Sequence, residues 1–147
     1  MKCDNYVKLT VPALSSNESY ARAAVGAFVS QLDPTLDELG GVKAAVSEAV
    51  TNCVVHAYAE SETVGLINIT ARIKDDEVYI KITDKGCGIE DIKKAMEPLF
   101  TTKPELERSG LGFAVMESCC DKVKVSSKPG KGTSVTLIFR LNKKELK

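Results

Sequence analysis

The sequence shows no excess of either charge: Lys+Arg and Asp+Glu both number 20 in 147 residues. Such a balance removes any general electrostatic argument for direct nucleic-acid binding or for an anionic membrane surface. No apolar run approaches the length of a membrane span, and the start, Met1-Lys2-Cys3-Asp4, lacks a signal-peptide core. There is no C-x-x-C. The five cysteines (Cys3, Cys53, Cys87, Cys119 and Cys120) are odd in number and include an adjacent pair. That pattern argues against a disulfide framework or a zinc site and for reduced thiols in a cytoplasm. Internal repeats and low-complexity segments are also missing. What is present is length for one domain, residues 1–147, and 44% hydrophobic residues. That is enough for a substantial core and too much for a disordered chain.

The chain is organised around S-E-A-V-T-N-C-V-V-H-A-Y, Ser47 to Tyr58. At about 100° per residue, Val42, Val46, Ala49, Val50, Cys53 and Ala57 gather on one side of a helix. Glu48, Asn52 and His56, spaced four apart, form a polar stripe beside that face. The stripe holds no lysine or arginine for ordinary i,i+4 pairs. It reads equally as a solvated outer face or as a row of chemically useful groups.

Ahead of it, Val7, Leu9, Val11 and Ala13 alternate with polar residues, which predicts a strand with one buried face. Ser15 with Glu18 offers a capping box to a helix running to about Leu32, with Val25, Ala24, Phe28 and Leu32 among its apolar positions. Thr35 with Glu38 offers a second box, opening the long helix. Gly40-Gly41 inside that helix predicts a bend or a close approach.

Two strands follow. Ile67, Ile69, Ala71 and Ile73 face inward on the first, and Val78, Ile80 and Ile82 on the second. Continuing by two places Asp84 on the inward face, a costly position for an acid without a partner. Lys85-Gly86-Cys87-Gly88-Ile89 comes at once, so the strand ends in a tight turn. Asp84 either bonds its own turn or points into a cavity. A short helical segment, roughly Glu90 to Met96, precedes P-L-F-T-T-K-P-E-L-E-R-S-G-L-G, where periodicity fails. A loop of that length is unusual in a compact domain. Thr101, Thr102, Lys103, Arg108 and Ser109 suit phosphate. Ser109-Gly110-Leu111-Gly112 leads into a helix over Phe113 to Cys120, whose start exposes backbone N–H groups, although G-x-G alone reads more often as plain loop. A strand through Val123 and Val125, a turn over Lys128 to Gly132 and a last strand, Thr133 to Leu141, complete the chain. Thr133 shares the inward parity of Val135, Leu137 and Phe139, and residues 142–147 read as a charged tail.

The order strand, helix, helix, hairpin, loop, helix, hairpin predicts an α/β (α+β) two-layer sandwich. Its mixed, mostly antiparallel sheet is covered on one face by helices. A buried aspartate can accept from an exocyclic amine, and an asparagine oxygen can ligate a hard Mg²⁺ that also holds phosphates. A carboxylate one turn away can orient or deprotonate an attacking hydroxyl.

In order, E-A-V-T-N (Glu48 to Asn52), D-K-G-C-G-I (Asp84 to Ile89), S-G-L-G-F (Ser109 to Phe113) and G-K-G-T (Gly130 to Thr133) resemble the four boxes of the GHKL ATPase/kinase superfamily. P-L-F-T-T-K-P-E-L-E-R-S-G-L-G-F, the early S-Y-A-R-A-A-V-G-A-F and Q-L-D-P-T-L-D-E-L are similar to one branch, the anti-sigma-F factors of spore-forming bacteria, small serine protein kinases. The resemblance spans nearly the whole chain. It implies a Bergerat-type fold and ATP/ADP with Mg²⁺ as cofactors. Asp84 would bind the adenine amine, assisted by Thr133, above a turn made by Gly86 and Gly88. Asn52 would be the Mg²⁺ ligand and Glu48 the general base or hydroxyl-orienting residue. Thr101, Thr102, Lys103, Arg108, Ser109, Gly110, Leu111 and Gly112 would form a lid on the phosphates. His56 would be structural or support Asn52. Arg22 would lie on a surface shared by sporulation sigma factor F and an anti-anti-sigma factor phosphorylated on serine, and the protein would be a homodimer. The alternatives are a nucleotide-gated binding module without catalysis, which Glu48 argues against, and the related kinase of a stress-response switch. A histidine kinase would need a dimerisation helix with an acceptor histidine, and a hydrolytic ATPase a transducer domain; neither is expected here.

Overall fold

The computed structural model describes residues 5–59, 61–89 and 112–141. Strand β1 (Asn5–Pro12) is followed by helix α1 (Ser16–Val29), a 3₁₀ turn (Ser30–Leu32) and helix α2 (Leu36–Asn52). Helix α2 runs on into a π-helical turn (Cys53–Ala57). Strands β2 (Leu66–Lys74) and β3 (Glu77–Asp84), helix α3 (Gly112–Cys119) and strands β4 (Lys122–Lys128) and β5 (Gly132–Arg140) complete the described elements. The helix expected over 90–96, the loop from 98 to 111 and the tail 142–147 lie outside the described residues.

The five strands form one sheet in the order β1-β2-β3-β5-β4. Every pairing is antiparallel, so the expected mixed component is not found among the described residues. Two consecutive helices separate β1 from β2, and they return the chain so that β2 runs antiparallel beside β1. Alternation sets the faces as expected. Ile67, Ile69, Ala71, Ile73, Val78, Ile80, Ile82, Val135, Leu137 and Phe139 are buried under the helices, along with the α2 stripe of Val42, Val46, Ala49, Val50, Cys53 and Ala57. Fully burying each large aliphatic side chain contributes about 1.5–3 kcal/mol, so this shared core holds sheet and helices together.

The two predicted capping boxes differ in outcome. At α2, Thr35 Oγ1 accepts the Glu38 N–H at 3.1 Å and Glu38 returns the bond to the Thr35 N–H at 2.9 Å. At α1, Ser15 has helical angles and its side chain makes no capping bond. Glu18 instead pairs one turn onward with Arg22 Nε at 2.9 Å. Helix α1 buries Ala21, Val25 and Val29, while the expected Ala24, Phe28 and Leu32 are only half-buried. Gly40-Gly41 makes no break in α2. Gly41 is instead where α3 comes close, with Cys119 O 3.6 Å from the place a Cβ would occupy.

Candidate functional site

Asp84 ends the inward row of β3, and it is the one buried charged residue among those described, 6% exposed. Pairing sets it between Ile67 of β2 and Thr133 of β5. Its Oδ1 accepts the backbone N–H of Gly86 at 2.9 Å and of Thr133 at 3.2 Å. Two N–H donors on one oxygen offset much of the cost of burying the carboxylate. The other oxygen, Oδ2, accepts the thiol of Cys53 at 3.5 Å. Burial, then the Asp84 charge and this hydrogen bond, push the Cys53 thiol well above its ordinary range, so it stays protonated as a donor. Asp84 does bond its own turn, and it is also held by a second strand and by the end of α2.

The turn after Asp84 is clamped from two sides. Its Cys87 N–H donates to the Ala57 carbonyl at 2.7 Å, and the Cys87 carbonyl accepts the Gly130 N–H at 2.6 Å. Gly86 has no room for a Cβ, which would collide with the Ala57 carbonyl. Gly88 has φ 76°, a left-handed conformation, and lies against the Lys128 carbonyl. Both glycines are therefore required for the turn to reach α2 and the β4–β5 hairpin at once. Tyr58 adds a third tie: its hydroxyl accepts the Lys85 N–H at 2.8 Å and donates to the Leu66 carbonyl at 2.7 Å.

Glu48 and Asn52 come from the last two turns of α2, both half-buried. The start of α3 rests on them. A Cβ on Gly112 would sit 3.3 Å from Glu48 Oε1 and 3.4 Å from Asn52 Oδ1. A larger residue would press on both oxygens. Gly112 is the first described residue of α3, and it lies beside the carboxylate and the amide. Cys53, next after Asn52, is bonded to Asp84, which joins the two groups of side chains through the end of α2. The helix widens there into the π turn that carries His56, a distortion frequent at functional sites.

Among the expected site residues, the structure thus brings together Glu48, Asn52 and Gly112, and separately Asp84, Gly86, Gly88 and Thr133. Arg22 belongs to neither group and is held on α1 by Glu18. Thr101, Thr102, Lys103, Arg108, Ser109, Gly110 and Leu111 lie outside the described residues. Sequence reasoning missed the bond from Cys53, which the apolar stripe had absorbed, and it missed Tyr58 and Ser127. Ser127 had a readable signal: the Lys128–Gly132 turn sets it opposite Thr133. A cavity of about 250 Å³ lies elsewhere, lined by Asp37, Glu38, Gly41, Cys119 and Asp121, and holds none of these groups.

The fold is that of one class of protein, the histidine kinase-like ATPase domains, whose family model matches residues 11–139. An anti-sigma F factor of Clostridium beijerinckii is 52% identical over 139 residues, covering 95% of this chain and 96% of that protein. One from Clostridium kluyveri is 54% identical over 134 residues, covering 91% of this chain and 93% of that protein. The chain belongs to the anti-sigma F factor family. The RsbU and RsbW domains of a Mycobacterium tuberculosis protein superpose with a TM-score of 0.66 at 20% identity. That match covers 93% of this chain and 32% of the other, and it bears on the fold alone. No helix among the described residues is long and apolar enough to cross a membrane.

Proposed function

We propose that this protein is an anti-sigma factor and serine/threonine protein kinase of the cytoplasm. It holds sporulation sigma factor F inactive and uses Mg-ATP to phosphorylate an anti-anti-sigma antagonist on serine. The observation that carries the reading is the meeting of Glu48, Asn52 and Gly112, tied through Cys53 to the buried Asp84. Binding alone needs no carboxylate beside the amide, whereas phosphoryl transfer to a hydroxyl does.

In this reading Asp84 Oδ2 accepts the adenine amine, with Thr133 beside it, above the turn that Gly86 and Gly88 allow. Asn52 Oδ1 ligates Mg²⁺. The donors fit that ion, since Asn52 and Glu48 supply hard oxygens side by side at Gly112. The remaining ligands would then be phosphate oxygens and water, as Mg²⁺ prefers. A bound Mg²⁺ would supply charge neutralisation at the phosphates, and Glu48 would orient the serine hydroxyl and take its proton. Residues Thr101 to Leu111 close on the phosphates together with Gly112, with Lys103 and Arg108 as charge partners. Arg22 contributes to the surface for both protein partners. In the same reading, which here rests on the family resemblance, the protein acts as a homodimer.

The test is the intact mass of a candidate anti-anti-sigma protein after incubation with this chain, Mg²⁺ and ATP. One phosphate is expected with the unmodified chain and none with Asn52→Ala. Absence of phosphate with ATP still bound would leave a nucleotide-gated binding module.

A further inference from the structure

The equal totals of acidic and basic side chains conceal a segregation across the sheet. On the face turned away from the helices, the register lines up one row over all five strands: Lys8, Thr70, Lys81, Thr136 and Lys124. The lysines stand on alternate strands, about 10 Å apart, with a hydroxyl between each pair. The next row, two residues or about 7 Å along the strands, holds Tyr6, Arg72, Tyr79 and Lys122. All five of these cations are exposed. Glu77 is the one acid that the described strands place on this face, and both its oxygens are engaged. Oε1 accepts the Tyr79 hydroxyl at 2.7 Å and Oε2 the Arg140 guanidinium at 3.1 Å. The acids of α2, Asp37, Glu38 and Glu48, belong to the layer on the opposite side.

A row of cations and hydroxyls suits a chain of phosphates, and aromatic side chains beside such a row stack bases without regard to sequence. Tyr6 is 63% exposed. Lys8 Nζ lies 5.8 Å from the centre of its ring, so a cation and a stacking surface meet at one point. Tyr79, on the central strand, is held in place by its bond to Glu77. We propose that this uncovered sheet face is a platform for single-stranded nucleic acid, with Lys8, Lys81 and Lys124 along its phosphates and Tyr6 and Tyr79 against its bases. The face is a flat sheet rather than a projecting helix or ribbon, which is what a duplex groove admits. An acidic peptide would answer the lysines and leave the tyrosine row unused.

The test is fluorescence anisotropy of a labelled single-stranded oligonucleotide of about 12 nucleotides, titrated with the full chain at several salt concentrations and with Mg-ADP in excess. Binding is expected to persist with Mg-ADP and to weaken steeply with salt. Lys8→Gln, Lys81→Gln and Lys124→Gln together are expected to lower affinity by more than about tenfold and to flatten the log–log salt slope by about 2, since each phosphate contact contributes about 0.7. Lys81→Gln alone should flatten it by about 0.7. Tyr6→Ala is expected to weaken binding about tenfold with the slope unchanged, and Tyr6→Phe to retain it. An unchanged slope in both lysine variants would overturn the proposal. So would loss of binding on adding Mg-ADP, which would put the oligonucleotide in the nucleotide site. Competition by polyglutamate or by anionic vesicles at equal charge concentration would overturn it as well, assigning the face to an acidic protein or a membrane surface.

Discussion

Asp84, Thr133 and Ser127 sit on three adjacent strands, and pairing plus direct hydrogen bonds lock each to the next. Glu48, Asn52 and Gly112 sit on two helices that meet at a glycine, with the end of α2 loosened into a π turn. The first group is held by a ladder of backbone bonds that no side-chain motion can relax. The second is held by helix packing, where a shift of a few tenths of an ångström changes which oxygens meet. A ligand binding across both would find its base end formed in advance. The work of distinguishing one nucleotide state from another then falls to the helix end, where the γ-phosphate would act.

That contrast breaks most visibly in paired variants. Glu48→Gln is expected to lower phosphoryl transfer by about 10²–10⁴-fold while ATP and ADP affinities stay within about twofold. Single-turnover transfer alongside calorimetric titration reads both at once. Asp84→Asn puts an amide where Oδ2 was, a donor facing a donor. ATP and ADP should then weaken together by about 100-fold, the loss expected for a hydrogen bond to a charged acceptor. If Asp84→Asn separated ADP from ATP, or Glu48→Gln did not separate binding from transfer, the division into two ends would be wrong.

The strand group was also the more legible of the two in the sequence. Parity along a strand is a local property, so counting from Val78 put Asp84 inside, and counting back from Val135 gave Thr133 the same parity. Their direct pairing follows from the β3–β5 register, which no local pattern states. The Thr35–Glu38 box was readable because both partners lie within one turn. The Ser15–Glu18 box failed because Glu18 had a second partner one turn onward, Arg22. Cys53 looked like core and is core, but it is also the thiol on Asp84, a contact 31 residues apart that only packing creates. The π turn has no sequence signal at all. It reflects where the Ala57 carbonyl must go to meet the Cys87 N–H.

A smaller effect tests whether the Cys53 thiol belongs to the rigid end. Burial and then the neighbouring Asp84 raise its pKa well above the ordinary thiol value of 9.0 in the folded chain. Above about pH 9 the unfolded thiol gives up its proton while the folded one keeps it. The unfolded state then binds fewer protons, and stability falls as pH rises. Cys120, raised to about 12 mainly by burial, acts in the same direction. Denaturant midpoints should be flat from about pH 7 to 8 and decline above about 9, and Cys53→Ala should remove part of that decline. An unchanged slope in Cys53→Ala would mean that the thiol is not buried against the carboxylate.

The smallest expected effect concerns how far α2 transmits strain between its ends. Thr35 caps the helix at the end away from Asn52, and Thr35→Ala removes a side-chain bond to the Glu38 N–H. Loss of such a cap costs about 1 kcal/mol. The helix is pinned at its far end by the Ala57–Cys87 bond and along its length by Val42, Val46 and Val50. Fraying at Thr35 should therefore not reach the site. Thermal unfolding should shift down by a few degrees, with ADP affinity and phosphoryl transfer both within about twofold of the unmodified chain. A fall in transfer without a fall in ADP affinity would show instead that α2 moves as one rod, and that the position of Glu48 against Gly112 is set partly from its opposite end.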